Sequence, residues 1–277
     1  MFIVAATANY YQLPFERALS VIAGAGMQEA EMALYWRGGD WAMAQHLEGY
    51  SPRAIASALN TAGIQLACVH DGGGVLDRPD RIDGYINPSL APLLDALGYA
   101  PAYIVLHTPH VRGEQPPGWW DAIAGEVAMA AHALEAGGAQ VTIENTPPFE
   151  GFAVPLTLPE QLADFTAVHG LGITLDTSHY AQMGIALNDA AEILGGRIRS
   201  VHLSDYTPGA PHSFLGYGEL DLKGLLGQLA SPNLVVTIEA SPVPPGVDLL
   251  TLPDAALSAH LAEARDLVAG WISENQA

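Results

Sequence analysis

The chain has 277 residues, 30 of them acidic and 10 basic, which gives a formal net charge of −20 at pH 7. This acidic excess disfavours binding to nucleic-acid phosphates or to an anionic membrane surface. Cys68 is the only cysteine, which excludes an intramolecular disulfide and a cysteine-built zinc cage. No apolar run reaches the ~20 residues that cross a bilayer, and the start of the chain lacks the basic segment of a secretory signal. We therefore expect a cytoplasmic protein without nucleic-acid or membrane partners.

Short apolar segments recur along the chain at intervals long enough for a crossover helix. The eight predicted strands are Phe2–Ala6, Gln28–Leu34, Ile64–His70, Ala102–His107, Val141–Glu144, Gly172–Asp176, Arg199–His202 and Leu234–Glu239. The predicted helices are Arg53–Thr61, Trp119–Ala136, Pro159–Val168, Ala190–Leu194 and Leu252–Ser273. Eight alternating units predict a closed (β/α)8 barrel, in one domain over residues 1–277. An open doubly wound sheet is the alternative, but the G-x-G-x-x-G motif is missing after the first strand.

The last four predicted strands carry the same polar pattern on one face. Side chains alternate between the two faces of a strand, so Thr142 shares a face with Glu144, while Val141 and Ile143 share the other. In each of these strands a hydroxyl residue precedes an acidic or imidazole residue at the carboxyl end. That end is where (β/α)8 barrel enzymes assemble their active sites. The four terminal residues are Glu144, Asp176, His202 and Glu239.

Three carboxylates and an imidazole at one barrel mouth need a counter-charge. The predicted mouth has no lysine or arginine side chain to provide one, so a divalent cation is the economical solution. An oxygen-rich set with one imidazole suits Mn²⁺, Mg²⁺ or Co²⁺, and Zn²⁺ is also compatible with it. We therefore predict one divalent metal ion, with Glu144, Asp176, His202 and Glu239 as its ligands.

Four motifs around these residues occur in strand order and resemble a known family. They are Ile143-Glu144-Asn145-Thr146, Leu175-Asp176-Thr177-Ser178-His179, Val201-His202-Leu203-Ser204-Asp205 and Ile238-Glu239-Ala240. With a further segment from His212 to Glu219, the set is similar to the xylose isomerase-like TIM-barrel superfamily. That superfamily contains sugar isomerases and epimerases, inosose dehydratases and the family 2 apurinic-site (AP) endonucleases. The resemblance covers nearly the whole chain and implies that the four predicted ligands bind a catalytic metal.

Resemblance to the ketose epimerases implies a specific chemistry. Their two ligand glutamates, here Glu144 and Glu239, are catalytic: one removes a proton from the substrate carbon and the other returns it, through a metal-stabilised enediolate. The resemblance also implies that His179 and Glu150 contact the substrate, whereas Pro208 stands where the epimerases have an arginine. The implied function is a metal-dependent isomerase or epimerase of a sugar, polyol or keto-sugar. A dehydratase or lyase could use the same ligands.

Resemblance to the AP endonucleases implies a different use of the histidines. Those enzymes hold three zinc ions, and His70, His107 and His212 stand at the positions of additional ligands, while Ala210 replaces an expected aspartate. Two alternatives stay open: a second metal bound by His70, His107 and Glu144, or direct substrate binding by the three histidines. A multinuclear zinc phosphodiesterase is therefore the alternative function, and a barrel that binds sugar or metal without turnover is the non-enzymatic one.

The scarcity of basic residues bears on the substrate. Nine arginines and one lysine leave few groups to hold a phosphate or a nucleic acid. We therefore expect a small, unphosphorylated, sugar-like substrate, and the sequence leaves a homo-oligomer open.

Overall fold

The computed structural model describes residues 1–34, 47–72, 75–76 and 78–275. Within them, eight parallel strands close into a barrel. The strands are β1 (Phe2–Ala6), β2 (Glu29–Leu34), β3 (Gln65–Asp71), β4 (Tyr103–His107), β5 (Gln140–Glu144), β6 (Gly172–Asp176), β7 (Ile198–Leu203) and β8 (Val235–Ile238). The predicted (β/α)8 barrel is confirmed, and every predicted strand end lies within one residue of the observed one.

Helices follow each strand and cover the outside of the barrel. They are α1 (Phe15–Gly24), α2 (Pro52–Ala62), α3 (Leu90–Leu97), α4 (Trp119–Glu135), α5 (Pro159–His169), α6 (Thr177–Gln182), α7 (Leu187–Leu194), α8 (Leu222–Gln228) and α9 (Asp254–Glu274). The cues in the sequence explain where such helices begin and end. Ser51 caps α2 by accepting the Ala54 amide, and Gly63 ends that helix with a φ of 69°. None of the described helices is long and apolar enough to span a bilayer.

The barrel closes where β1 meets β8. Phe2 pairs with Val235 and Ala5 with Ile238, so the two ends of the barrel sequence form one continuous seam. The Met1 amino group adds a hydrogen bond of 3.0 Å to the Pro232 carbonyl. Closure leaves no open edge in the barrel, and it brings the carboxyl end of β8 next to the other strand ends.

The loops at the carboxyl ends of the strands carry small sheets of their own. Short strands at Val75–Leu76, His110–Arg112 and Phe152–Ala153 pair in a three-stranded sheet. A hairpin of Asp205–Thr207 and Ala210–Ser213 follows β7. These elements build the rim of the mouth at which the predicted ligands lie.

The interior of the barrel is layered. Val4, Cys68, Tyr103 and Val235 form an apolar cluster at the bottom. Above it lies what we call the hydroxyl layer, made of Thr142, Thr174, Ser200 and Thr237, all fully buried. Above that lies the acid–imidazole layer, made of Glu144, Asp176, His202 and Glu239. The alternation of side chains along β5 to β8 therefore stacks the predicted ligands directly over a hydroxyl platform.

Candidate metal centre

The structure brings the acid–imidazole layer together at the mouth of the barrel. One ligand atom from each of Glu144, Asp176, His202 and Glu239 lies within 4.8 Å of the others. Strand register explains the convergence, because His202 pairs directly with Asp176 across β7 and β6. The first three residues are fully buried and Glu239 is 8% exposed. Four side chains from four adjacent strands thus surround one point.

The two carboxylate oxygens of Asp176 differ in their hydrogen bonding. Its Oδ1 accepts the backbone amide of His179 at 2.8 Å and the Ser178 hydroxyl at 3.1 Å, which caps α6. Asn145 fixes the backbone of the same residue, donating to the Asp176 carbonyl at 3.0 Å and accepting from its amide at 2.7 Å. Oδ2 has no hydrogen-bond partner in the described part of the chain. Hydrogen bonds therefore hold the carboxylate in place, and its Oδ2 atom is available to bind a metal ion.

Other polar atoms of the layer are also left without hydrogen bonds. Both carboxylate oxygens of Glu144, Oε2 of Glu239 and Nδ1 of His202 have no hydrogen-bond partner among the described residues. Buried charged atoms in this condition are costly unless an ion or a ligand engages them. The carboxylates of the layer have only imidazoles within ion-pair distance in the described structure. The donor set fits a divalent cation such as Mn²⁺, Mg²⁺, Co²⁺ or Zn²⁺.

The electrostatics of the layer favour ionised carboxylates. Burial raises the pKa of Glu144, but the imidazoles of His202 and His107 outweigh it and hold that pKa well below its usual range. Burial likewise opposes ionisation of Glu239, yet His202 lowers the pKa of Glu239 to about 2. Burial lowers the pKa of His202, but the Glu31 and Glu239 carboxylates raise it well above the usual value. Protonated imidazoles therefore balance the negative charge of these carboxylates. A bound cation would balance that charge instead, and the imidazoles would release their protons.

His70 and His107 lie beside the layer, on β3 and β4. Their Nε2 atoms are 3.0 and 3.1 Å from Oε2 of Glu144, and 3.0 Å from each other. His107 also pairs directly with Glu144 across β4 and β5. The three side chains form a second group able to hold a metal ion. The predicted grouping of these residues therefore has the required geometry, and the choice between metal ligand and substrate contact is left to experiment.

The rings of His179 and His212 meet edge to face, with centroids 5.3 Å apart and planes at 88°. His179 donates from Nδ1 to the Asn145 carbonyl at 2.8 Å. Burial lowers the pKa of His179, but the Asp176 and Glu144 carboxylates and the Asn145 carbonyl together outweigh burial and raise the pKa to about 9. His212 is held by the Glu239 carbonyl, 3.0 Å from Nδ1, and has a φ of 52°. Such a backbone angle is strained for a residue with a side chain, and strain of this kind clusters at functional sites.

A cavity of about 600 Å³ opens above the centre. Its polar lining includes Asn9, Tyr11, Gln12, His70, His107, Glu144, His179, Gln182, His212, Glu239, Ser241 and Asp248. Its apolar lining includes Pro147, Phe149, Pro211, Pro242, Val243, Val247 and Leu249. Asp176 and His202 do not line it and are fully buried.

Glu150 is the one predicted substrate contact that the structure places away from this cavity. The preceding residue, Phe149, lines the cavity, and its ring lies 5.2 Å from that of His110. Glu150 is exposed and does not belong to the lining. Substrate binding by Glu150 stays a prediction, without support from this geometry.

Two buried residues near the centre escaped the sequence prediction. Glu31 lies in the middle of β2, 1% exposed, with a carboxylate oxygen 3.0 Å from Nε2 of His202. The available signal was an acidic residue in the middle of a predicted strand, directly before the apolar residues Met32, Ala33 and Leu34. His110 lies in the rim sheet, 5% exposed, and burial lowers its pKa to about 3. No pattern marked it, because it follows a strand end in a loop segment.

Comparison with known proteins places the chain among barrels of this kind. An L-ribulose 3-epimerase structure matches with a TM-score of 0.70 and 17% identity, covering 100% of this chain and 96% of its own. A D-tagatose 3-epimerase-like protein matches with a TM-score of 0.66, 18% identity and full coverage of both chains. A D-psicose 3-epimerase matches with a TM-score of 0.68 and 14% identity, covering 98% of this chain and 99% of its own. At such identities these likenesses establish the shared fold alone.

Sequence comparison assigns the family. None of the curated proteins matches the chain. The family model described as xylose isomerase-like TIM barrel matches residues 19–257. That match spans all the strand ends of the centre from β2 to β8. The chain belongs to the xylose isomerase-like TIM barrel family.

Proposed function

We propose that this protein is a divalent-metal-dependent epimerase or isomerase of a small, unphosphorylated sugar. The observation that carries the proposal is the convergence of the acid–imidazole layer, whose unpartnered oxygen and nitrogen atoms face one point under an open cavity. When bound there, a divalent cation would act as a Lewis acid that acidifies a C–H bond beside a carbonyl and stabilises the resulting enediolate.

Glu144 and Glu239 are suited to the proton transfers. They belong to the layer and also line the cavity, so their carboxylates can reach a substrate as well as a cation. The lowered pKa of each carboxyl keeps it ionised at neutral pH, as a base requires. They come from β5 and β8, on different sides of the mouth. In the proposed reaction one removes a proton from the substrate carbon and the other returns it.

The lining of the cavity supports an uncharged substrate. Among the described lining residues there is no lysine or arginine, so a phosphate would find only imidazoles as cationic partners. The polar groups offer hydrogen-bond partners for hydroxyls, and the apolar wall of prolines and valines suits C–H surfaces. Three structurally similar proteins are named an L-ribulose 3-epimerase, a D-tagatose 3-epimerase-like protein and a D-psicose 3-epimerase, which makes ketoses the first substrates to test.

Solvent deuterium exchange tests the proposal directly. The purified protein is incubated in D₂O with Mn²⁺ and each of a panel of ketoses, and NMR follows deuterium at the carbons beside the carbonyl. We expect exchange with at least one ketose, lost on treatment with EDTA and restored by Mn²⁺. Absence of exchange across the panel in metal-loaded protein would contradict the proposal. Loss of water from a substrate would redirect it to a dehydratase or lyase.

A multinuclear metal phosphodiesterase is the second candidate, and one observation favours it. Two further groups, His70–His107–Glu144 and Asp176–His179–His212, have the geometry to hold metal ions next to the acid–imidazole layer. The net charge of −20 and the absence of lysine and arginine from the described lining oppose binding of a nucleic-acid backbone. Metal analysis separates the two: one tightly bound ion per chain favours the epimerase, and two or three zinc ions favour the phosphodiesterase.

A further inference from the structure

Glu31 occupies an unusual place for a carboxylate. It lies in the middle of β2 and is 1% exposed, below the mouth rather than at it. The residue next to it on the adjacent strand is Cys68, part of the apolar bottom of the barrel. A carboxylate at this depth needs specific partners to be tolerated.

Those partners are a predicted metal ligand and a hydroxyl. Nε2 of His202 forms a hydrogen bond of 3.2 Å with Oε2 of Glu31 and lies 3.0 Å from Oε1. The Thr237 hydroxyl donates to Oε2 at 3.1 Å. Both donors come from the strands that carry the centre, β7 and β8. Glu31 therefore links the hydroxyl layer to the acid–imidazole layer.

The ring of His202 shows what this contact does. A carboxylate only accepts hydrogen bonds, so Nε2 must carry the proton in this contact. The opposite nitrogen, Nδ1, lies 2.7 Å from Oε2 of Glu239 and 3.3 Å from Oε1 of Glu144, without hydrogen-bond geometry to either. The ring is thus fixed with Nδ1 directed at the centre of the layer.

We propose that Glu31 is a positioning residue that holds His202 in the Nε2–H form, leaving the Nδ1 lone pair free for the metal. This inference rests on the proposed metal site. A carboxylate behind a ligating imidazole fixes both the proton and the ring orientation, and loss of such a partner typically weakens metal binding about 10- to 100-fold.

A different use of Glu31 is conceivable on geometry and is an outcome of the test. Its ligand atoms lie within 4.8 Å of those of His70, His202 and Glu239, so the four could hold an ion themselves. One observation favours the positioning role: Oε2 of Glu31 already accepts hydrogen bonds from His202 and Thr237. Direct ligation would require Glu31 to give up its contact with His202.

The first experiment compares Glu31→Gln with Glu29→Gln in the full chain. Glu29 lies on the same strand two residues earlier and is exposed, so it is a matched control. Zinc affinity is measured by chelator competition, and stoichiometry by elemental analysis. For Glu31→Gln we expect Kd to rise about 10- to 100-fold with unchanged stoichiometry, and for Glu29→Gln less than twofold change. An unchanged Kd in folded Glu31→Gln, or the loss of one bound ion, would overturn the positioning role.

The second experiment needs no variant and therefore does not depend on the folding of Glu31→Gln. The zinc-loaded wild-type chain is labelled with ¹⁵N-histidine, and NMR identifies which ring nitrogen of His202 carries hydrogen. We expect a protonated Nε2 with its proton protected from exchange; a protonated Nδ1 would refute the inference. If the wild-type chain binds no metal at all, the proposed metal-dependent function is itself refuted. Normal metal binding that is insensitive to Glu31 removes only the positioning role.

Discussion

The hydroxyl layer and the acid–imidazole layer lie two residues apart on the same four strands, yet they satisfy their polar atoms in opposite ways. In the lower layer Thr174 lies 2.6 Å from both Thr142 and Ser200, in a chain of hydroxyl hydrogen bonds. In the upper layer Glu144, Asp176, His202 and Glu239 retain polar atoms with no hydrogen-bond partner among the described residues.

The difference follows from the chemistry of the groups. A hydroxyl both donates and accepts, so a ring of hydroxyls can satisfy itself. Ionised carboxylates only accept, and several of them at one point repel one another. The lower layer is therefore complete within the protein, whereas the upper layer requires an external partner. The comparison predicts that substitutions in the upper layer reduce activity most, and those in the lower layer reduce stability.

Glu239→Gln should have the largest effect. The substitution preserves shape but removes the carboxylate that would take up or return a proton, so we expect the exchange rate to fall about 100- to 10,000-fold. Deuterium incorporation into the active ketose measures it, with circular dichroism to confirm the fold. Glu219→Gln, an exposed position outside the cavity lining, is the control and should stay within twofold of wild type. Exchange retained in Glu239→Gln would remove that residue from the proton transfer.

Thr174→Val tests the lower layer. The variant keeps the volume but deletes the central hydroxyl, breaking the contacts with Thr142 and Ser200. At about 1 kcal/mol for each hydrogen bond, we expect unfolding free energy to fall by about 2 kcal/mol. Urea denaturation measures the change, and zinc affinity should stay within a few-fold of wild type. Thr174→Ser retains the hydroxyl and should lose less. A large loss of zinc affinity without loss of stability would contradict the assignment of the lower layer to stability.

His110→Gln tests whether a buried histidine beside the upper layer affects stability rather than activity. Burial, together with the nearby His107 and His179 imidazoles, lowers the pKa of His110 to about 3. The unfolded chain binds a proton near pH 6.5, whereas the folded chain does not, so this histidine destabilises the fold as pH falls below 6.5. Between pH 7 and 5.5 the wild type should lose about 1 kcal/mol more than His110→Gln. Urea denaturation at the two pH values measures this, and parallel losses would show that His110 is protonated in the folded protein.

The barrel could be predicted from sequence because its signal is repeated. Each strand is a short apolar run with a regular spacing to the next, and observed strands such as β6 (Gly172–Asp176) match the predicted limits. The convergence of Glu144, Asp176, His202 and Glu239 also follows from sequence, since strand alternation and barrel closure fix their positions together. Both inferences depend on the regular spacing of the strands and the alternation of side chains along them, and both patterns can be read from a single sequence.

Side chains whose role depends on partners from distant strands could not be placed in this way. The contact of Glu31 with His202 joins β2 to β7, and no local pattern encodes which carboxylate lies behind which imidazole. Loop residues were equally hard to place, because loops lack a repeating period. Glu150 shows this: it lies in the loop after β5, where no alternation of side chains predicts which residue faces the cavity.

The seam between β1 and β8 sets an order for the assembly of the molecule. During synthesis Phe2 is made long before its partner Val235, which belongs to the last strand of the barrel. Glu239 follows β8 directly, so the nascent chain carries three of the four predicted metal ligands before the fourth is made. The predicted cation pocket is therefore complete only when the barrel closes, so an ion held by all four predicted ligands would report that synthesis has passed Glu239.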